Sequence, residues 1–468
     1  MNRRAVYAAT LGCDKNLVDS EALLGRFAAR GLLVTDDPDL ADVWVLNTCG
    51  FIEAARQDSY DAIEQMCEEK GDRLLIVTGC LTQERGDEIR ADYPEVDLVS
   101  GVGNFDKVIE ALELGEDRVP TTRPDDASYD GMQDRPLLTP PHLAFVKISE
   151  GCNYRCSFCR IPLIRGDQRS RPVALITEEV RSLVARGVGE VMLVSQNTSD
   201  FGRDTGEDLL ALVGSLSKIE GLRWIRLHYL YPGILSTEVL ENILSVPKVL
   251  PYLDMPVQHA SPDVLRAMNR PVRTDKLVSQ FATLRAAHPD LVLRTTILLG
   301  FPGEEEEHVE ATLDFLAAVR FDHVGTYHYS PEAGTRGADL QLTVDPEEMA
   351  DREARLLDLQ VEIAAERQAA RIGTLHEAVV DRIDTVEEWR ELLDELCEDL
   401  AEVPAWTTDD EGPVAVARTM HHAYETDGVV LIDGAGVVAG TWGQVEITAV
   451  TAFDALARRI PTMEEGGS

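Results

Sequence analysis

Three short apolar runs in the first eighty residues each end on a cysteine: "AVYAATLGC" (5–13), "VWVLNTC" (43–49) and "LLIVTGC" (74–80). A fourth run, "VDLVSGVG" (96–103), lacks one. Helical patterns separate them, at 16–30, 53–69 and 84–92, with another at 104–114. Strands that alternate with helices cannot pair through hairpins, so they are predicted to lie parallel in a doubly wound α/β sheet covered on both faces. Such a sheet brings the C-terminal ends of its strands to one edge, where ligands bind. Cys13, Cys49 and Cys80 are thus expected to share one mouth, although 36 and 31 positions separate them. Strand-end cysteines that merely pack as small apolar groups are the alternative. Cys67 and Cys397 sit on the apolar stripes of their own helices and read as core.

The remaining chain divides by composition. Residues 115–141 are rich in Pro, Gly and Asp without apolar period, the pattern of a linker between an N-terminal domain (1–114) and a core (142–371). The core resumes the alternation, with strands predicted at 143–149, 190–196, 224–230, 251–256, 291–300 and 323–329 and a long helix near 346–371. Six strand–helix units are too few to close an eight-unit barrel, so an open, partial (β/α) barrel is expected. Residues 373–468 carry β runs at 376–384, 427–434 and 442–454 between glycine turns, the pattern of a small β-barrel. An acidic segment, 386–403, interrupts it, with apolar residues at 386, 389, 393, 396, 400 and 403 on one helical face.

The densest chemistry is "KISEGCNYRCSFCRIP". Cys152, Cys156 and Cys159 follow a predicted strand within one loop. Three thiolates so placed can hold three irons of a four-iron, four-sulfur cluster and leave the fourth iron open. A zinc knuckle would want a fourth protein ligand, and the segment offers none. Beside the loop stand Arg160, Arg165, Arg169 and Arg171, either holding carboxylates of cofactor or substrate or forming a solvated basic loop. Gln258 and His259 read as rim residues or ligands at a strand end, and the His421–His422 pair as surface. "TTILLGFPGEEEE" (295–307) runs a strand into a Gly-Pro-Gly turn able to cradle a cofactor, although an acidic first turn is also ordinary helix chemistry.

Composition narrows the partners. The 468 residues carry a net charge of −39, which disfavours non-specific nucleic-acid binding and suits a basic partner or an acidic proteome. No apolar run reaches membrane-spanning length and the N-terminus lacks a secretory leader, so a soluble cytoplasmic protein with no membrane partner is expected. The uneven cysteine spacing is unlike a disulfide framework.

The cysteine loop, "IPLIRGDQRSRP", "YLDMPVQHASPDVLRAMNRP" and "TTILLGFPGE", together with "NTCGFIEAA" and "VTGCLTQ", resemble the radical S-adenosylmethionine methylthiotransferases. The last hundred residues resemble that family's TRAM domain. "LGCDKNLVDSE" and "WIRLHYLYP" are similar to the RimO-type, protein-directed branch rather than to the branch that modifies tRNA adenosine, while Asn197 stands where that branch carries Asp. The resemblance implies two 4Fe-4S clusters, one on Cys152, Cys156 and Cys159 and one on Cys13, Cys49 and Cys80. It implies S-adenosylmethionine near Phe158, Gln196, Gly300 and Gly303, serving as radical source and methyl donor. It implies methylthiolation of the β-carbon of an aspartate in small-subunit ribosomal protein S12, with an unidentified electron donor and with tRNA disfavoured as partner. A deoxyadenosyl radical is the implied means of breaking a C–H bond that no side-chain base could ionise. No catalytic acid or base is assigned.

Overall fold

The computed structural model describes residues 4–119, 132–342, 344–398 and 400–460. Residues 120–131 of the expected linker, 399 of the expected acidic helix and 461–468 of the C-terminal segment lie outside them.

Five parallel strands form the first sheet, in the order Leu33–Val34, Ala5–Thr10, Val43–Thr48, Leu74–Gly79, Leu98–Val99. Alternation sorts their side chains. Val43, Val45 and Ile76 pack under helices Asp14–Ala29 and Phe105–Leu114, whereas Trp44, Leu46, Leu75 and Val77 pack under Glu53–Glu69 and Cys80–Asp92. The sheet is doubly wound, as expected. Its order reverses between Ala5–Thr10 and Val43–Thr48, and a crevice opens at such a switch point. Cys13 and Cys49 follow these two strands. The strand expected over 96–103 shortens to Leu98–Val99, because the third helix takes the chain beyond it: Thr82 donates to the Ser100 carbonyl (2.6 Å) and Gln83 accepts from the Val102 N–H (3.0 Å).

The second sheet holds six parallel strands ordered Leu143–Lys147, Glu190–Val194, Trp224–Leu227, Val249–Asp254, Val292–Leu299, His323–His328. It remains an open, partial barrel. Its outer face packs on helices that include Val173–Ala185, Leu209–Leu216, Thr237–Leu244, Thr274–Ala287 and Glu306–Val319. The inner face (Phe145, Met192, Val194, Trp224, Tyr252, Val292) shares one apolar cluster with Leu23, Leu24 and Phe27 of the N-terminal helix Asp14–Ala29. Residues 132–138 of the expected linker belong to this packing. Arg135 is buried between Glu21 and Glu179, so this stretch is a joint, read as a linker because its cation finds its partners only in the folded chain.

The third sheet closes on itself through Leu375–Thr385, Pro413–Thr419, Val430–Asp433, Ala455–Ile460 and Trp442–Val450. "PVAVART" (413–419) is a strand that the alternation did not flag, because both its faces are covered: Ala415 and Ala417 pack inside the barrel, Val414 and Val416 under the acidic helix. The acidic helix is shorter than its stripe, running Arg390–Cys397 after a 3-10 turn, Glu387–Trp389. Leu393 and Leu396 pack on Val414, Val416 and Leu456, and Leu400 reaches the same cluster from beyond the helix. The chain must turn there towards Pro404 and the strand at 413, so the stripe outlasts the helix. The barrel docks on the N-terminal ends of the core strands. Arg418 joins Glu190 (2.8 Å) and Asp381 (2.6 Å), His142 meets Asp381 (2.8 Å) and Trp224 lies edge-on to Trp442. His421 and His422, expected at the surface, are buried in this joint, and burial holds both well below the usual imidazole range.

Candidate metal centres

The strands that end at Cys13, Cys49 and Cys80 lie side by side in the sheet. Gly79 turns the chain off its strand at φ +111°, in the left-handed region that glycine enters without strain, and places Cys80 as the first residue of a helix. A Cβ on Gly79 would lie 2.4 Å from Asn47 Oδ1 and 2.5 Å from the Thr48 carbonyl, so the strand end admits no larger residue. The Gly12 Cα faces Cys49, with room for a Cβ only at 3.0 Å from its Sγ. Asn16 ties the strand ends together. Its Nδ2 donates to the carbonyls of Leu11 (2.9 Å) and Thr48 (3.1 Å), while its Oδ1 lies 3.7 Å from Cys80 Sγ. Ser59 accepts the Cys49 N–H at 3.0 Å. Cys13 is exposed, Cys49 half-buried and Cys80 buried, so the group opens to solvent on the Cys13 side. Burial pushes the Cys80 thiol up to about 12, against the pull of the Arg165 guanidinium, and charge on Cys13 or Cys49 raises it further.

The second group is a single loop. Its entry is a short antiparallel pairing of Ser149–Glu150 with Arg169–Ser170. The Cys152 N–H donates to the Gly166 carbonyl (3.0 Å), Ser157 is held by the Met268 and Ala267 carbonyls (2.8 Å each), and the Gly337 N–H donates to Ser157 O (2.7 Å). Gly151 precedes Cys152 at φ +80°, with the Asp167 carbonyl where a Cβ would be. Arg270 stacks 3.9 Å over Tyr231 and reaches Cys156 Sγ at 3.7 Å, and Tyr231 stacks on Tyr154. Burial raises Cys152 to about 11 and Cys159 to about 12. Sequence reading missed Arg270. Within "MNRP" nothing marks it, since its stacking partner lies 39 positions upstream.

Between the two groups lies the short helix Ile161–Ile164, which leaves the loop directly after Arg160. Ile164 packs against Cys80 and Val102. Arg165 then extends Nη2 to Cys80 Sγ (3.3 Å) and Asn16 Oδ1 (2.6 Å), and Nη1 to Asp19 (3.0 Å) and Glu150 (2.9 Å). Lys147, fully buried, pairs with the same two carboxylates at 2.5 and 2.7 Å. Arg160 meets Glu84 (2.6 Å) and Arg171 meets Glu179 (2.6 Å). Arg160, Arg165 and Arg171 are therefore buried against the protein's own carboxylates, whereas Arg169 is half-buried and donates to the Arg165 carbonyl (3.5 Å). Lys147, a cation inside the apolar run "LAFVKIS", was the available signal that buried anions would face this strand.

The other sequence candidates separate. Gln196 braces the loop, its Oε1 accepting the Gly151 N–H (2.9 Å) and its Nε2 donating to Glu150 (2.8 Å). Phe158 is half-buried against the core cluster. The Gly300 N–H is taken by Glu304 (3.1 Å), and a Cβ on Gly300 would overlap Met349 of helix Pro346–Ala369, while one on Gly303 would meet nothing within 4 Å. His259 is buried on Glu304 (3.3 Å) rather than at a rim. Asn197 caps a 3-10 turn through the Ser199 N–H (3.1 Å). Cys67 and Cys397 pack in apolar clusters away from both groups.

Among the described residues no three or more His, Cys, Asp and Glu side chains close on a single ion. Three thiols in each group match the ligand type of an iron–sulfur cluster. Arg270 Nε, buried without a partner beside Cys156, suits an anionic group there. Among the described residues no helix is long and apolar enough to cross a membrane.

Residues 5–101 match the family described as "Uncharacterized protein family UPF0004", residues 146–316 the Radical SAM superfamily, and residues 402–460 the TRAM domain. A ribosomal protein uS12 methylthiotransferase RimO from Synechocystis is 41% identical over 80% of this chain and 84% of its own. Its counterpart from Microcystis aeruginosa is 36% identical over 97% of this chain and 98% of its own. The radical S-adenosylmethionine methyltransferase TsrM from Kitasatospora setae shares the fold, with a TM-score of 0.52 at 14% identity over 80% of each chain. Through these relatives, the chain belongs to the RimO family of methylthiotransferases and is a radical S-adenosylmethionine enzyme that uses a 4Fe-4S cluster.

Proposed function

We propose that this enzyme methylthiolates the β-carbon of an aspartate residue in ribosomal protein uS12, the substrate that its relatives' names carry. The observation that carries the reading is the juxtaposition of two cysteine triads across one four-residue helix, Ile161–Ile164. Cys152, Cys156 and Cys159 would hold the first cluster, and Cys13, Cys49 and Cys80 a second that would supply the sulfur. When bound, the clusters and S-adenosylmethionine supply one-electron chemistry at unactivated carbon together with the sulfur and methyl groups to be transferred.

The chain's own residues hold and aim that chemistry. Gln196 and Gly151 fix the loop, and Arg270 offers positive charge at Cys156. Phe158 would line the S-adenosylmethionine site, and Gly300 and Gly303 would shape the turn that borders it. Asn16 and Ser59 hold the sheet-borne thiols in register. The buried pairs across the junction exclude water between the two groups. A net charge of −39 favours a Lys- and Arg-rich protein over tRNA. The electron donor is a separate reductant.

The test is mass spectrometry of uS12 and of tRNA from cells lacking the gene. Loss of the methylthio mark on uS12 alone is expected. Loss on tRNA alone overturns the substrate assignment.

A further inference from the structure

Arg165 is divided between two tasks. Nη1 meets Asp19 and Glu150, a pairing that Lys147 already provides: two cations face two carboxylates, and the set is neutral. Charge balance leaves Nη2 unexplained. It turns away from the carboxylates, to the amide oxygen of Asn16 (2.6 Å) and the sulfur of Cys80 (3.3 Å). Arg165 is only 2% exposed, so this N–H···S contact is made out of water, where a cationic donor acts most strongly on a thiolate. The same few residues grip the other centre. Gly166 accepts the N–H of Cys152, and Glu150, bonded to Nη1, is bonded in turn to Gln196, which holds Gly151.

We propose that Arg165 is a positioning residue of the sheet-borne centre. Its guanidinium donates to Cys80 Sγ, stabilises the more negative, reduced form of the cluster held there, and fixes that centre against the loop that carries the other. Hydrogen bonds and positive charge at cluster sulfurs raise reduction potential. The role rests on Cys13, Cys49 and Cys80 being cluster ligands, and the experiment separates the two claims.

The full chain carrying Cys152→Ala, Cys156→Ala and Cys159→Ala, reconstituted anaerobically, isolates the sheet-borne iron. Retention of about four irons upholds the ligand assignment; an iron-free protein overturns that assignment itself. In this background an EPR-monitored redox titration should move to lower potential on Arg165→Gln. Arg165→Lys, which keeps the charge but not the planar pair of donors, should move it the same way by less. Arg160→Gln, which removes a junction cation bound to Glu84, should leave it in place. Full iron with an unshifted potential in Arg165→Gln overturns the proposal. Should that variant fail to fold, pulsed EPR on the parent with guanidino-15N arginine decides: a 15N hyperfine coupling to the reduced cluster is expected, and its absence overturns the contact.

Discussion

The two cysteine triads reach similar ends by opposite routes. Cys152, Cys156 and Cys159 lie within one loop, held by backbone bonds to Gly166, Met268 and Gly337. Cys13, Cys49 and Cys80 come from three strand ends and are neighbours only because a parallel sheet aligns those ends and Asn16 bonds across them. The loop carries its ligand spacing in its own covalent chain. The sheet carries it in tertiary structure, so its centre depends on everything that keeps strands in register.

The largest effect is expected from Cys152→Ala, Cys156→Ala and Cys159→Ala together. Iron should fall from about eight to about four per chain, and reductive cleavage of S-adenosylmethionine should vanish, read as 5′-deoxyadenosine by chromatography. The matching triple substitution at Cys13, Cys49 and Cys80 should remove as much iron but leave cleavage intact while abolishing methylthio transfer. Unchanged iron there would end the comparison, since the strand ends would then hold only thiols.

Glycine substitutions sharpen it. Gly79→Ala forces a side chain onto Asn47 and Thr48, and Gly151→Ala forces one onto Asp167. Each should cost about 2–4 kcal/mol in denaturant unfolding. Gly79→Ala should deplete iron from the sheet-borne site alone, Gly151→Ala from the loop alone; equal depletion of both sites by either would show one cooperative unit instead of two. The smallest effect is expected from Tyr229→Phe. It removes a hydroxyl donated to Asp14 (3.2 Å) beside Cys13 and should cost about 1 kcal/mol without changing iron content.

What was legible in the chain follows the same division. The shared loop of Cys152, Cys156 and Cys159 could be read directly, and the adjacent strand ends before Cys13, Cys49 and Cys80 could be read once the βα alternation implied a parallel sheet. The six core strands were legible because apolar runs between turn residues report burial locally. The partners of Arg135, Arg160, Arg165 and Arg171 were not. A charged residue looks the same in sequence whether solvated or buried, and Arg165 finds Asp19 only 146 positions away. The strand 413–419 escaped notice because a strand covered on both faces loses its alternation. The helix expected to reach residue 403 stops at Cys397, because apolar spacing records which side chains face the barrel but not where the backbone turns.

The buried junction also has a direction in time. Helix Asp14–Ala29 is made early, yet the cations that neutralise Asp19 belong to residues 147 and 165, 128 and 146 positions later. A ribosome still short of that point holds an N-terminal domain whose most buried carboxylates face nothing. Cys80 likewise lacks its guanidinium until the loop that carries Cys152 has been synthesised and folded against it. Assembly of the two centres in this chain is thereby ordered: the sheet-borne site reaches its finished surroundings only after the loop site has arrived.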